Sequence, residues 1–206
     1  ISKKMRTNYK LGIELLRLAA EMHYCCGSIA TAKARVECVY SRAINIQDRF
    51  RANHVLLQCY SNESDYDSSV KVGIDLLRET GVNFPKNPGK LSAIGNLITL
   101  KRKLRGQTAQ DLYNLPIMKN KLLNEALHLF GIIGIAAFFG GRSDVCVLIS
   151  IKAMIITVDH GLCIHTPFAI AGYAMLESHL GNMQAAYDYA KVAGELSKRR
   201  GMEFGY

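Results

Sequence analysis

An all-α architecture of stacked helix pairs is predicted by three observations. Apolar residues recur at helical spacing (Leu11, Leu15, Leu18, Met22; Val70, Ile74, Leu77), and no stretch shows sustained strand alternation between turn signals. Three helix-ending signatures, Glu79-Thr80-Gly81, Asp159-His160-Gly161 and Arg199-Arg200-Gly201, close apolar amphipathic runs. Finally, Gly27, Ser64, Gly141 and Gly181 each fall between an apolar helix and a second one that begins with polar or small residues, at separations of 37, 77 and 40. A single helical hairpin is too thin to bury its own apolar face, so such units must stack on their neighbours.

The periodicity predicts helices at roughly 7–26, 28–46, 48–62, 66–80, 89–105, 121–139, 144–160, 167–180 and 183–200. Counted from three of the turns, a larger residue follows at the second position and a small one at the fifth: Ile29 and Ala32, Tyr66 and Ser69, Met183 and Ala186. The small residue lets paired helices approach, and the larger one plugs the gap between them. A repeat of about 38 residues with this spacing belongs to the tetratricopeptide-like class, a right-handed superhelix of antiparallel helix pairs. The absence of Trp and of Pro at the repeat ends makes it a divergent version. The separation of 77 is two periods, filled by a helical insertion over 82–118. In that insertion, Asn87-Pro88 offers a cap followed by proline at the first helical position, and Leu97, Leu100 and Leu104 oppose Lys101, Arg102, Lys103 and Arg105 on a basic amphipathic helix. Thr108 with Asp111 can cap a short turn, and Thr166-Pro167 opens a later helix. The chain thus divides into repeat hairpins over 1–81, an inserted spacer over 82–118 and repeat hairpins over 119–206, in one continuous array.

With 206 residues, 49% of them hydrophobic, the chain can bury a sizeable core and is not of the disordered class. Neither an initiator Met nor a secretory leader stands at the start, and a segment of a longer protein is expected. The net charge of +9 is uneven: residues 1–60 hold ten Lys or Arg against four Asp or Glu, and 119–206 hold eight against seven. Lys3, Lys4, Arg6, Lys10 and Arg17 read as a solvated face or a join to a preceding domain, since a nucleic-acid groove favours clustered Arg interleaved with aromatics. Six cysteines, four of them within apolar helical stretches, are expected to be reduced and mostly buried, as in a cytoplasmic protein. The uncharged run 129–141 is shorter than the roughly 20 residues of a membrane span, which favours a buried inner helix and no membrane association.

The stretch from Gly73 to Gly201 resembles the helical region of large multidomain signalling ATPases. In these an AAA/STAND-type ATPase module, often behind a serine/threonine kinase-like domain, precedes tetratricopeptide-like repeats, a GAF domain and a histidine kinase. The resemblance is carried by Gly73-Ile74-Asp75-Leu76-Leu77, Thr80 to Pro85 and Pro88, then Leu104 to Thr108, Leu112, Leu115-Pro116 and Met118, and finally Ala136 to Phe139 and Asp159-His160-Gly161. Members commonly cap the helix after the Leu-Pro element with Thr or Asp, where this chain has Lys119-Asn120-Lys121 and Asn120 can substitute. The resemblance implies a non-catalytic coupling segment, with ATP bound only by other domains of the parent. No phosphate loop, kinase catalytic loop or histidine-kinase phosphoacceptor context occurs here.

Candidate chemistry is sparse. His160, Cys163 and His165 could ligate a metal but lack a second ligand group, and capping of a helix end by His160 is favoured. His23, Cys25, Cys26 and Cys38 read as buried packing, because adjacent cysteines on a helix point about 100° apart. Glu125 and His128 form a single Glu-x-x-His, which carboxylate-bridged metal bundles use in pairs; it reads as the polar start of a helix. Gly131 and Gly134 read as points of close helix packing. Tyr24, Tyr60, Tyr66, Tyr173, Tyr187 and Tyr189 either pack near the turns or line a peptide groove. No catalytic, cofactor or metal residue is assigned. The expected function is a protein–protein interaction and signal-coupling scaffold in a signalling ATPase or kinase, with Lys101, Arg102, Lys103 and Arg105 as docking surface or merely a solvated face. The alternative is a helical-repeat nucleic-acid-binding module using the N-terminal basic face, and neither reading invokes a cofactor or membrane.

Overall fold

The computed structural model describes residues 3–85 and 88–199, with side chains from residue 8 onward, and these are helical with no named strand. Nine α-helices follow in order: α1 Lys3–Cys25, α2 Ile29–Tyr40, α3 Phe50–Asn62, α4 Tyr66–Glu79, α5 Lys90–Lys103, α6 Lys121–Phe139, α7 Ser143–His160, α8 Thr166–His179 and α9 Met183–Ser197. Four hairpins, α1/α2, α3/α4, α6/α7 and α8/α9, are each closed by three residues, and the paired helices pack together. All four anticipated turn residues sit in the left-handed region: Gly27 at φ 74°, Ser64 at 60°, Gly141 at 70° and Gly181 at 83°. That backbone favours glycine, and Ser64 is the residue that bears the strain of a side chain there.

Packing between hairpins runs α2 on α3, α4 on α6 and α7 on α8, so the chain passes from the second hairpin to the third across the insertion. The insertion folds onto the later half instead, with α5 against α7 and the 3-10 turn Ala109–Asn114 against α9. One buried cluster of Leu57, Val70, Leu77, Phe84, Leu127, Phe130, Ile133 and Leu148 runs continuously through α3, α4, α6 and α7. At its tightest point Gly73 of α4 faces Ile133 of α6, where an added Cβ would lie 2.4 Å from Ile133 Cγ1. Ala32, Ser69 and Ala186, the small residues of the turn pattern, are all buried.

The insertion is tied down by two strand-like hydrogen bonds. Leu162 N donates to Pro116 O and Met118 N donates to Leu162 O, both at 2.7 Å, and Ile117 and Leu162 form a parallel bridge. Gly161 makes this possible: at φ 96°, a Cβ there would sit 2.0 Å from the Pro116 carbonyl oxygen. Thr108 and Asp111 form the anticipated reciprocal cap, and Asn120 accepts from Leu122 N and Leu123 N at 3.0 and 3.3 Å, capping the helix as expected.

Several expectations are corrected. The second helix stops at Tyr40 rather than 46, because Asn45 accepts from Asp48 N and starts a separate 3-10 turn, Ile46–Arg49. Helix α5 begins at Lys90 after an extended Gly89, so Pro88 lies outside it; Asn87, and the side chains of Lys3, Lys4 and Arg6, lie outside the described residues, as do Arg200 and Gly201 of the last helix-ending signature. Met183 is exposed rather than plugging its hairpin. Cys25 and Cys26 are exposed because α1 ends at Cys25 and leaves both at an open turn; Cys59 and Cys163 are buried, Cys38 and Cys146 half-buried, and all six are free thiols. The stripe Leu11, Leu15, Leu18 and Met22 points outward at 41–61% exposure, while Ile13, Leu16 and Ala20 face the core. Helix α6, at 19 residues, is long and apolar enough to cross a membrane by length and composition; here Leu127, Leu129, Phe130, Ile133 and Ala137 on it are buried against protein.

Candidate functional site

Two places gather polar chemistry. Leu100 on α5 and Leu104 at its C-terminal cap are buried, which turns the basic residues toward different surroundings. Lys101 pairs with Glu177 of α8, a carboxylate only 1% exposed, and Lys103 Nζ reaches Asp159 of α7 at 2.6 Å. Burial raises the Glu177 pKa, but hydrogen bonds from Lys101, Tyr173 and Asn182 outweigh it and hold the carboxyl below its ordinary value. Two of the four anticipated docking residues are therefore paired with α7 and α8, although the Lys101 side chain stays 46% exposed, and Arg102 and Arg105 are exposed as well. Leu91, Ile94 and Ile98 are exposed as well, Leu91 at 87%. With Arg102 they fall at offsets of three, seven and eleven, along one helix face. Sequence reading missed this stripe because it shares α5 with the buried Leu100, and both faces are apolar.

Between α8 and α9 lies an open groove of ≈ 700 Å³ lined by Phe168, Met175, Tyr187 and Ala190 among others. Tyr187 stands exposed at this groove. Tyr173 and Tyr189 are instead buried edge to face at 5.0 Å beneath it. Tyr24 and Tyr66 line a smaller cleft with Ile132, Ile135 and Phe139. A Cβ added at Gly131 or Gly134 would meet the Phe168 ring at 3.6–4.0 Å, ordinary contact distance, so the close helix packing expected there does not require glycine at either position.

The second place is an imidazole–carboxylate cluster. Helix α6 carries Glu125 and His128 one turn apart, α3 packs alongside and supplies His54, and the residue before α8 is His165. His54 Nε2 lies 2.7 Å from Glu125 Oε1, and Glu125 is buried. The His54 and His128 rings are 3.8 Å apart at centroid, and His165 stacks on His128 at 4.3 Å and 13°. Burial, reinforced by His54 and His165, lowers the His128 pKa to about 3; burial, with His54, lowers that of His165 to about 4. Both are neutral bases at physiological pH. Among the described residues, His54, Glu125 and His128 are the group whose donor atoms lie within 4.8 Å of one another. The three residues weighed as possible ligands and set aside are dispersed: His160 is exposed at the end of α7, Cys163 is buried beside the Thr166 hydroxyl at 3.7 Å, and His165 turns to His128. His54 gave no sequence signal, since its partners are 71 and 74 residues away.

Compared with known proteins, the chain matches no family model, no curated protein and no solved structure.

Proposed function

We propose that this chain is a non-catalytic protein-interaction scaffold, a tetratricopeptide-like right-handed stack that couples neighbouring domains of a signalling ATPase or kinase in the cytoplasm. The observation that carries this reading is the uncovered stripe Leu91, Ile94 and Ile98 on α5, ending in the exposed Arg102 and Arg105. An apolar strip at helical spacing with guanidinium groups at one end fits an amphipathic helix bearing acidic residues. Because Lys101 and Lys103 fasten α5 to α7 and α8, force or binding on this face is transmitted to the later hairpins. The groove between α8 and α9 is a second apolar surface, lined by no basic residue.

The nucleic-acid alternative draws less support. Many described cations on the basic first half are neutralised locally: Arg17 by Glu14, Lys33 by Glu63, Arg49 by Glu79, and Arg51 by Glu14 and Glu21. Affinity for a polyanion needs free charges that release counterions.

A displayed-peptide selection on the purified chain tests the reading. Enriched acidic–apolar peptides whose binding is lost in Ile94→Glu/Arg102→Glu, and kept in the groove variant Met175→Glu, support docking on α5. Failure to enrich any peptide, together with retention on RNA that collapses between low and moderate salt, replaces the scaffold with the nucleic-acid module.

A further inference from the structure

Two imidazoles and one carboxylate, from two helices belonging to different hairpins, bring their donor atoms within 4.8 Å of one another in a largely buried spot. Glu125 and His128 share one face of α6 at a spacing of three, so both can reach a point beside that helix. His54 meets them from α3 because the two helices pack side by side. Neither ring nitrogen of His128 has a hydrogen-bond partner among the described residues, which leaves its lone pair free. The His165 ring lies parallel over it and holds its plane.

We infer that His54, Glu125 and His128 form a binding site for one divalent first-row transition cation of the zinc class. The donor set selects this class: two imidazole nitrogens and one carboxylate oxygen suit zinc, cobalt or nickel, whereas magnesium and calcium take oxygen ligands. A tetrahedral ion with bonds of about 2.0–2.1 Å spaces its donors about 3.3 Å apart, so the His54–Glu125 contact must open slightly and the remaining donors close slightly. The fourth position falls to water, and His165 acts as a positioning residue for the His128 ring. Bound there, the ion joins the second hairpin to the third at the middle of the array. This goes beyond the docking reading and does not depend on it, and it departs from the expectation of a metal-free segment.

The test uses the whole chain in a Cys25→Ser/Cys26→Ser background, which removes the exposed thiols that would also take zinc, after chelator treatment and dialysis. Zinc is titrated in competition with a chromophoric chelator, and cobalt binding is followed by visible absorption. The expected result is one equivalent of either ion, with cobalt ligand-field bands and no thiolate charge-transfer band, and affinity weakened at least about 100-fold in Glu125→Gln and in His128→Asn but not in His179→Ala. Absence of one-equivalent binding overturns the site. So does binding that Glu125→Gln and His128→Asn leave unchanged. Should those variants fail to fold by circular dichroism, the cobalt spectrum of the background protein decides alone: no ligand-field absorption ends the proposal.

Discussion

At the scale of single residues, the histidine cluster makes stability depend on pH. In the unfolded chain an imidazole titrates near 6.5, whereas in the folded protein His128 does so at about 3 and His165 at about 4. Between those values the unfolded chain takes up protons that the folded chain refuses, so stability rises with pH and is lost on acidification from about 6.5 downward. Above about pH 7 neither residue contributes a slope. With chelator present, the loss between pH 7 and pH 5 should be about 2 kcal/mol after allowance for partial solvent exposure. Urea unfolding at a series of pH values measures it, and His128→Gln should flatten the curve. A variant curve as steep as the parent's would show that the acid sensitivity arises elsewhere. The pair Glu125 and His128 was legible as a Glu-x-x-His but read as the polar start of a helix; that His54 and His165 join it was not, because they lie 71 residues before Glu125 and 37 after His128. By contrast, Gly27, Ser64, Gly141 and Gly181 were legible, because a left-handed turn between two apolar runs leaves a local mark that needs no knowledge of the fold.

Among the elements, α5 shows how a charge run can divide between internal and external duties. Lys101 satisfies the buried Glu177, and Arg102, one position on, projects to solvent. Removing one partner of a buried pair leaves the other charge in an environment that cannot solvate it, although Asn182 and Tyr173 still serve the Glu177 carboxylate here. Lys101→Met should therefore destabilise the fold by about 2 kcal/mol, and Arg102→Met should change it by less than about 0.5 kcal/mol. Denaturant midpoints of the two variants compare them directly; equal effects would mean that the Lys101 pair is worth no more than a surface contact. Sequence periodicity located this helix to within a residue or two but could not say which lysine faced inward, since that depends on where α7 and α8 bring Asp159 and Glu177. The same ambiguity explains α1. It has one apolar stripe through Ile13, Leu16 and Ala20 and another through Leu11, Leu15, Leu18 and Met22, and only packing chooses between them.

Across the whole molecule, connectivity is uneven, and a linear array should reflect that in its local stability. Helix α6 packs against α3, α4, α7 and α8, whereas among the described residues α1 packs mainly against α2 and α3. Much of the hold on α1 is polar: Arg51 of α3 grips Glu21 through Nε and Nη2, each at 2.7 Å, and reaches Glu14 through Nη1 at 2.5 Å, and the Tyr9 hydroxyl donates to Asp48 at 2.6 Å. A bidentate guanidinium contact holds better than a single surface pair, yet it is partly exposed to solvent and weakened by salt. Amide hydrogen exchange should accordingly be slowest in α6 and α7 and fastest in α1. Arg51→Met should speed exchange in α1 by about tenfold, the equivalent of about 1.4 kcal/mol, and leave α6 and α7 unchanged. If the substitution accelerates every helix to the same degree, the chain opens as one cooperative unit. The first hairpin would then be an integral part of the core, not a terminal layer whose packing a neighbour could shift.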